Sequence, residues 1–149
     1  MPVNPSDYLL KEVSVKKIFA ERNLDIPIAA GVNLPTTYSF SVGGGIVKNN
    51  NKLGLIVYTL KTTSANPDTQ LPFTLEIEIV GLYESKSEIT ENPLQEFAQT
   101  YAHKELWPYL KERVISSAKA MGININLPVD SPVKLSNPST QQNDSRANQ

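Results

Sequence analysis

The hydrophobic rhythm of the chain changes once. From residue 8 to residue 83 apolar residues come in short runs that favour every second position, broken by Gly, Asn, Pro and Asp; from Asn92 to Gly122 they recur at helical spacing. Alternation places successive side chains on opposite faces of a strand, whereas i, i+3, i+4 and i+7 share one helix face. Four strands are predicted on this basis. Residues 8–19 carry Leu10, Val13, Val15 and Ile18 in a broken alternation, which implies a bulge or a two-sided strand. Over 38–47, Tyr38, Phe40 and Val42 oppose Thr37, Ser39 and Ser41 before the run Gly43-Gly44-Gly45. Residues 53–63 are almost continuously apolar, as in a strand covered on both faces. Over 71–83, Leu71, Phe73, Leu75, Ile77 and Ile79 oppose Thr74, Glu76 and Glu78. The connections 48–52 and 64–69 are rich in Asn, Pro and Asp and too short for a parallel crossover, so the last three strands form an antiparallel meander.

In the helical zone Asn92 is the expected N-cap, with Pro93 at the first helical position and Gln95 closing a capping box. Leu94, Phe97, Ala98 and Tyr101 form one apolar stripe. Pro108 lacks an N–H and crowds the preceding turn, so a break is expected between Glu105 and Pro108, followed by a longer helix that ends with Gly122 as its C′ residue. That helix aligns Trp107, Leu110, Val114, Ala118 and Met121 at near-heptad spacing. One four-stranded sheet with one broken helix leaves apolar surface over. A second copy of the chain covers it most simply, so a homo-oligomer packed through Leu106, Trp107, Leu110 and Val114 is expected. The connection 20–35 is long for a loop yet carries Leu24, Ile26, Ile28, Val32 and Leu34, as a flap over the core or as an adhesive surface. Residues 136–149 hold no aliphatic side chain larger than that of Ala147 and are expected to be a disordered polar tail after one domain over 1–135.

Composition narrows the function classes. Fourteen Lys and Arg against fifteen Asp and Glu leave a net charge of -1, which provides no field to recruit nucleic acid or an anionic membrane. The absence of Cys removes disulfides, thiolate zinc sites and a thiol nucleophile. The N-terminus lacks a basic and an apolar signal region, and no stretch reaches the roughly 20 apolar residues that span a bilayer, so a cytoplasmic protein without membrane insertion is expected.

Candidate chemistry is sparse. His103 is the only histidine, and beside a helix break it reads as a capping or surface group rather than a base. Gly43-Gly44-Gly45 lacks the frame of a phosphate loop and reads as a bend or bulge in a curved strand. Glu76 with Glu78, Lys16-Lys17, and the group Lys104, Lys111, Arg113 and Lys119 read as solvated faces. No enzyme class, metal or cofactor emerges.

Leu106-Trp107-Pro108-Tyr109, the helix that ends at Met121-Gly122, and Ile125-Asn126-Leu127-Pro128-Val129 resemble the SecB family of export chaperones, in which a Leu-aromatic-Pro-Tyr motif opens the long helix and a Leu-x-Leu-x-Pro-Val-like segment follows it. The resemblance spans residues 8–135. It implies an α+β subunit, a four-stranded antiparallel sheet with a broken long helix packed on it, assembled as a tetramer. It further implies an ATP-independent holdase that binds unfolded polypeptides, such as preproteins or an antitoxin, in apolar grooves. Leu24, Ile26, Ile28, Val32 and Leu34 of the crossover loop, with Phe40, are the client-binding candidates. Export-dedicated members are acidic and end in a segment that docks on the export motor SecA. This chain is near neutral, and 136–149 holds the single acid Asp144, which fits a relative that protects an antitoxin at least as well. The reading from a different class is an adaptor or scaffold that binds one folded partner through the sheet.

Overall fold

A computed structural model describes residues 3–27, 37–63 and 70–133. Four strands, β1 (Tyr8–Arg22), β2 (Thr37–Ile46), β3 (Leu53–Thr63) and β4 (Phe73–Ser85), form one antiparallel sheet in the order β1-β4-β3-β2. The meander of β2, β3 and β4 is thus as expected, and β1 closes the sheet on the far side of β4. Strands β1 and β2 are thus the two edges of the sheet. The broken alternation in β1 is explained by two register shifts against β4, between Leu10 and Glu12 and between Val15 and Lys17. Each inserts one extra residue and re-aims the side chains that follow.

The helical layer consists of α1 (Glu91–Phe97), a π-turn (Ala98–Ala102) and α2 (His103–Ala120). Two expectations are corrected here. Helix α1 is capped by Thr90 rather than Asn92, which puts Pro93 in the first turn, where its missing N–H has no intrahelical partner to lose. The irregularity lies at the π-turn, where the His103 N–H bonds Ala98 C=O, and not at Pro108, through which α2 runs unbroken. Pro108 and Lys104, whose carbonyl loses its intrahelical partner, are both exposed, so that carbonyl is free to turn to solvent. Helix α2 ends as the sequence indicates, with Gly122 at φ 78°.

One face of the sheet carries the core. Ile56, Tyr58 and Leu60 of β3, and Phe73, Leu75, Ile77 and Ile79 of β4, are buried beneath Leu94, Phe97, Leu106, Trp107, Leu110 and Val114. The four residues expected at a subunit interface, Leu106, Trp107, Leu110 and Val114, are therefore interior. None is more than 2% exposed, and their stripe is satisfied by the sheet of the same chain. Near-heptad spacing also serves a helix that packs on a sheet, since both need a single apolar stripe. After α2 an extended strap returns over the core, with Ile123 and Ile125 buried and Leu127 and Val133 packed against it.

Candidate functional site

Among the described residues, no helix covers the second face of the sheet. Expected to be covered on both sides, β3 buries Ile56, Tyr58, Leu60 and Thr62 but leaves Leu55 38% exposed on the outer face. Antiparallel register sets the outer face residue by residue: Gly43 lies opposite Val57, Gly45 opposite Leu55, and Leu55 and Val57 opposite Leu82 and Val80. The face is divided along the strands. Towards the start of β4, Lys17 pairs with Glu76 at 3.0 Å and Lys16 with Glu78 at 3.6 Å. The Lys17 ammonium bonds the Glu76 carboxylate and holds it below the usual carboxylate range. The other half is apolar. A shallow trough of about 790 Å³ is floored by Leu55, Val57 and Val80 and bordered by the glycine run.

Gly43-Gly44-Gly45 is not a bulge. All three residues keep regular pairing with β3, and none has a positive φ. Gly44 faces inward, where an added Cβ would stand 2.7 Å from Ile56 Cδ1 and 3.2 Å from Leu94 Cγ. Gly43 and Gly45 face outward. At Gly45 a Cβ would meet nothing within 4 Å, and at Gly43 only Gln95 Oε1 at 3.8 Å.

Beside this face, the β2 edge is partly occupied by side-chain amides. Gly44 N–H donates to Gln95 Oε1 at 3.2 Å, Gln95 Nε2 donates to Gly44 C=O, and Gln99 Nε2 donates to Val42 C=O at 2.7 Å. Gln95 was expected to close a capping box; it reaches across to the sheet instead. Beyond the edge lies a groove of about 450 Å³, lined by Phe40, Ser41, Val42, Gln99, Pro132 and Val133. Phe40 stands edge-on to Trp107 and Tyr58, at 5.9 and 6.5 Å between ring centroids.

The strap that walls the groove is clasped by polar groups. Tyr58 Oη and His103 Nδ1 each lie 2.7 Å from Ser131 Oγ, and Trp107 Nε1 donates to Pro128 C=O at 3.1 Å. Burial pushes the Tyr58 hydroxyl up to about 12, against the opposing effect of its hydrogen bonds with Ser131 and the Val133 backbone. His103, expected at the surface, is buried, and desolvation followed by the nearby Lys104 charge lowers its pKa. Its Nε2 is buried with no partner among the described residues. The least costly arrangement keeps the ring neutral with the proton on Nδ1, since an unpaired acceptor avoids burying an unpaired N–H. Ser131 Oγ is engaged from both sides, and among the described residues no group bonds the far side of the imidazole; the pair holds the strap in place.

The client-binding candidates are not brought to one wall. Leu24 is 84% exposed in a turn pinned by Asn23 N–H to Pro72 C=O at 2.9 Å, and it lines a hollow at the β1 end of the sheet. Ile26 is half-buried beside it, whereas Phe40 belongs to the groove at the opposite edge. Ile28, Val32, Leu34 and the expected tail over 136–149 lie outside the described residues. Gln95, Gln99, Gly43, Gly45 and Ser131 were missed as site residues; the signal available for the β2 edge was a strand with no charge in it from Thr37 to Ile46.

Comparisons with known proteins agree with this architecture. No family model and no curated protein matches the chain. Among solved structures, a SecB-like chaperone of Mycobacterium tuberculosis, in complex with a peptide from an antitoxin, superposes with a TM-score of 0.60 at 13% identity, covering 83% of this chain and 90% of that one. A protein of unknown function from Streptococcus agalactiae matches with a TM-score of 0.40 at 16% identity, covering 76% and 86% respectively. The fold is SecB-like.

Proposed function

We propose that the chain is an ATP-independent chaperone that holds unfolded polypeptide against the uncovered half of its sheet, in protein export or in protection of a dedicated client such as an antitoxin. The observation that carries this reading is the outer trough: Leu55, Val57 and Val80 form an apolar floor that no described helix covers, bordered by the ion pairs Lys17–Glu76 and Lys16–Glu78. Apolar contact of this kind is non-directional and accepts many sequences. The likeness to a chaperone in complex with an antitoxin peptide supports a peptide client. In this reading the protein works as a homo-oligomer, a tetramer, in which several weak sites act on one client and avidity compensates for weak individual contacts. The near-neutral charge supports a dedicated client over engagement of SecA.

The test is aggregation suppression. Purified protein without ATP is added to a chemically unfolded client while light scattering is followed and native mass is measured. The wild type is expected to suppress scattering, and Leu55→Lys, on the outer face and already part-exposed, is expected to lose suppression with its melting temperature unchanged. A wild type that fails with several clients while retaining one folded partner in a pull-down would sink the holdase and support the adaptor.

A further inference from the structure

We propose that the strap is an acid-released cover: a proton on His103 breaks the clasp at Ser131 and lifts residues 126–133 off the Tyr58 and Trp107 rings, while the sheet and helices stay folded. This goes beyond the holdase reading and does not depend on it.

The strap is held in two different ways along its length. Ile123 and Ile125, next to the end of α2, are buried. From Asn126 to Val133 no residue is buried, and Val129 is 85% exposed. Polar groups tie this second half down: Trp107 Nε1 donates to Pro128 C=O at 3.1 Å, and Ser131 Oγ lies 2.7 Å from both His103 Nδ1 and Tyr58 Oη. A few hydrogen bonds hold a segment far less firmly than the burial that holds the core. Pro128 and Pro132 have no N–H to leave unpaired when the segment lifts.

The clasp contains the only histidine of the chain, placed where it cannot be charged without cost. His103 is 1% exposed, and its Nε2 has no hydrogen-bond partner among the described residues. The imidazole stands edge-on to Tyr58 of β3, with 6.4 Å between ring centroids. On α2 the neighbouring charge is Lys104, which shares a hollow with Asp130 and Ser131 of the strap. The π-turn offers the Gln99 backbone, and β2 carries no charge. A proton added to Nε2 therefore places an unpaired N–H and a full charge in the interior. Burial first and Lys104 second disfavour that proton, and the Gln99 backbone opposes them to a lesser degree.

Lifting the strap removes the cost, because the ring edge at Nδ1 then reaches water. The released form binds the proton more readily than the clasped form. The ratio of released to clasped chains thus rises as pH falls below about 6.5, by at most about tenfold per pH unit for one proton. Above that pH both forms are neutral and the clasp is complete.

Trp107 is the single tryptophan and is bonded to the strap, so it reports the movement directly. Indole emission and acrylamide quenching of the full chain are followed from pH 7.5 to 5.0, with far-UV circular dichroism alongside. The wild type is expected to give flat values down to about pH 6.5, then a red shift and steeper quenching at unchanged dichroism. His103→Gln, which keeps a neutral amide beside Ser131, is expected to stay shielded over the whole range. Ser131→Ala, without the clasp, is expected to quench steeply already at pH 7.5 and to respond little to acid. A wild type whose tryptophan stays shielded at pH 5.0 overturns the proposal. So does one that loses its dichroism together with the shielding, which is global acid unfolding. An equal acid response in His103→Gln overturns it as well and assigns the effect to carboxylates. If His103→Gln does not fold at pH 7.5, Ser131→Ala decides: quenching at that pH equal to wild type overturns the cover.

Discussion

At the scale of single residues, the strand glycines separate by what surrounds them. Gly44 and Gly81 are small because the core leaves no room: a Cβ at Gly81 would lie 2.9 Å from both Leu106 Cδ2 and Tyr83 Cε2. Gly45 has open space, so its backbone entropy is a loss without return in the isolated subunit. Gly45→Val is expected to raise stability by roughly 0.5–1 kcal/mol, about 2–4 °C in melting temperature, whereas Gly44→Val lowers it. Thermal melts of the two variants check this, and a Gly45→Val chain that melts below wild type would show a constraint the subunit does not reveal. His103 makes stability depend on pH. Its folded pKa lies below the unfolded value of 6.5, so the unfolded chain binds the proton more readily between the two. The contribution is therefore full above about 6.5 and diminishes as pH falls below it. Melts at pH 7.5 and 5.5 should differ more for wild type than for His103→Gln.

At the scale of elements, the strap and α2 form a single unit with the core. Ser131→Ala removes one partner from both Tyr58 and His103 and is expected to cost about 1–3 kcal/mol, with faster proteolysis of the strap. Trp107→Ala distinguishes a core residue from an interface residue. Buried against Phe40 and Tyr58 in the same subunit, Trp107 is expected to cost about 3–5 kcal/mol of subunit stability when truncated, visible in denaturant melts at any protein concentration. An interface residue would give a concentration-dependent midpoint instead.

For the whole molecule, the described helices and strap cover one face of the sheet and leave the other bare. Helix α1, the π-turn, α2 and the strap all lie on the same side, and β2, the uncharged edge, borders the open trough. That asymmetry is the basis of the holdase reading, and it explains why charge on the outer face should abolish client capture without unfolding the chain, as stated for Leu55→Lys. Helix α2 has no run long and apolar enough to cross a membrane.

Strand number, the antiparallel meander, the bulged character of β1 and the glycine stop of α2 were readable along the chain, because alternation, turn chemistry and left-handed caps are local properties with a fixed period or a fixed residue. Three matters were decided only by tertiary packing. An apolar stripe such as Leu106, Trp107, Leu110 and Val114 reports that a face is buried but not against what, and the sheet of the same chain claimed it. The two apolar faces of β3 implied double cover, yet α1 and α2 both pack on one side. The partners of Gln95, Gln99 and Ser131 are between 28 and 73 residues away in sequence. No periodicity encodes such pairings, which arise when an edge strand, a helix and a strap meet with unpaired polar groups facing one another.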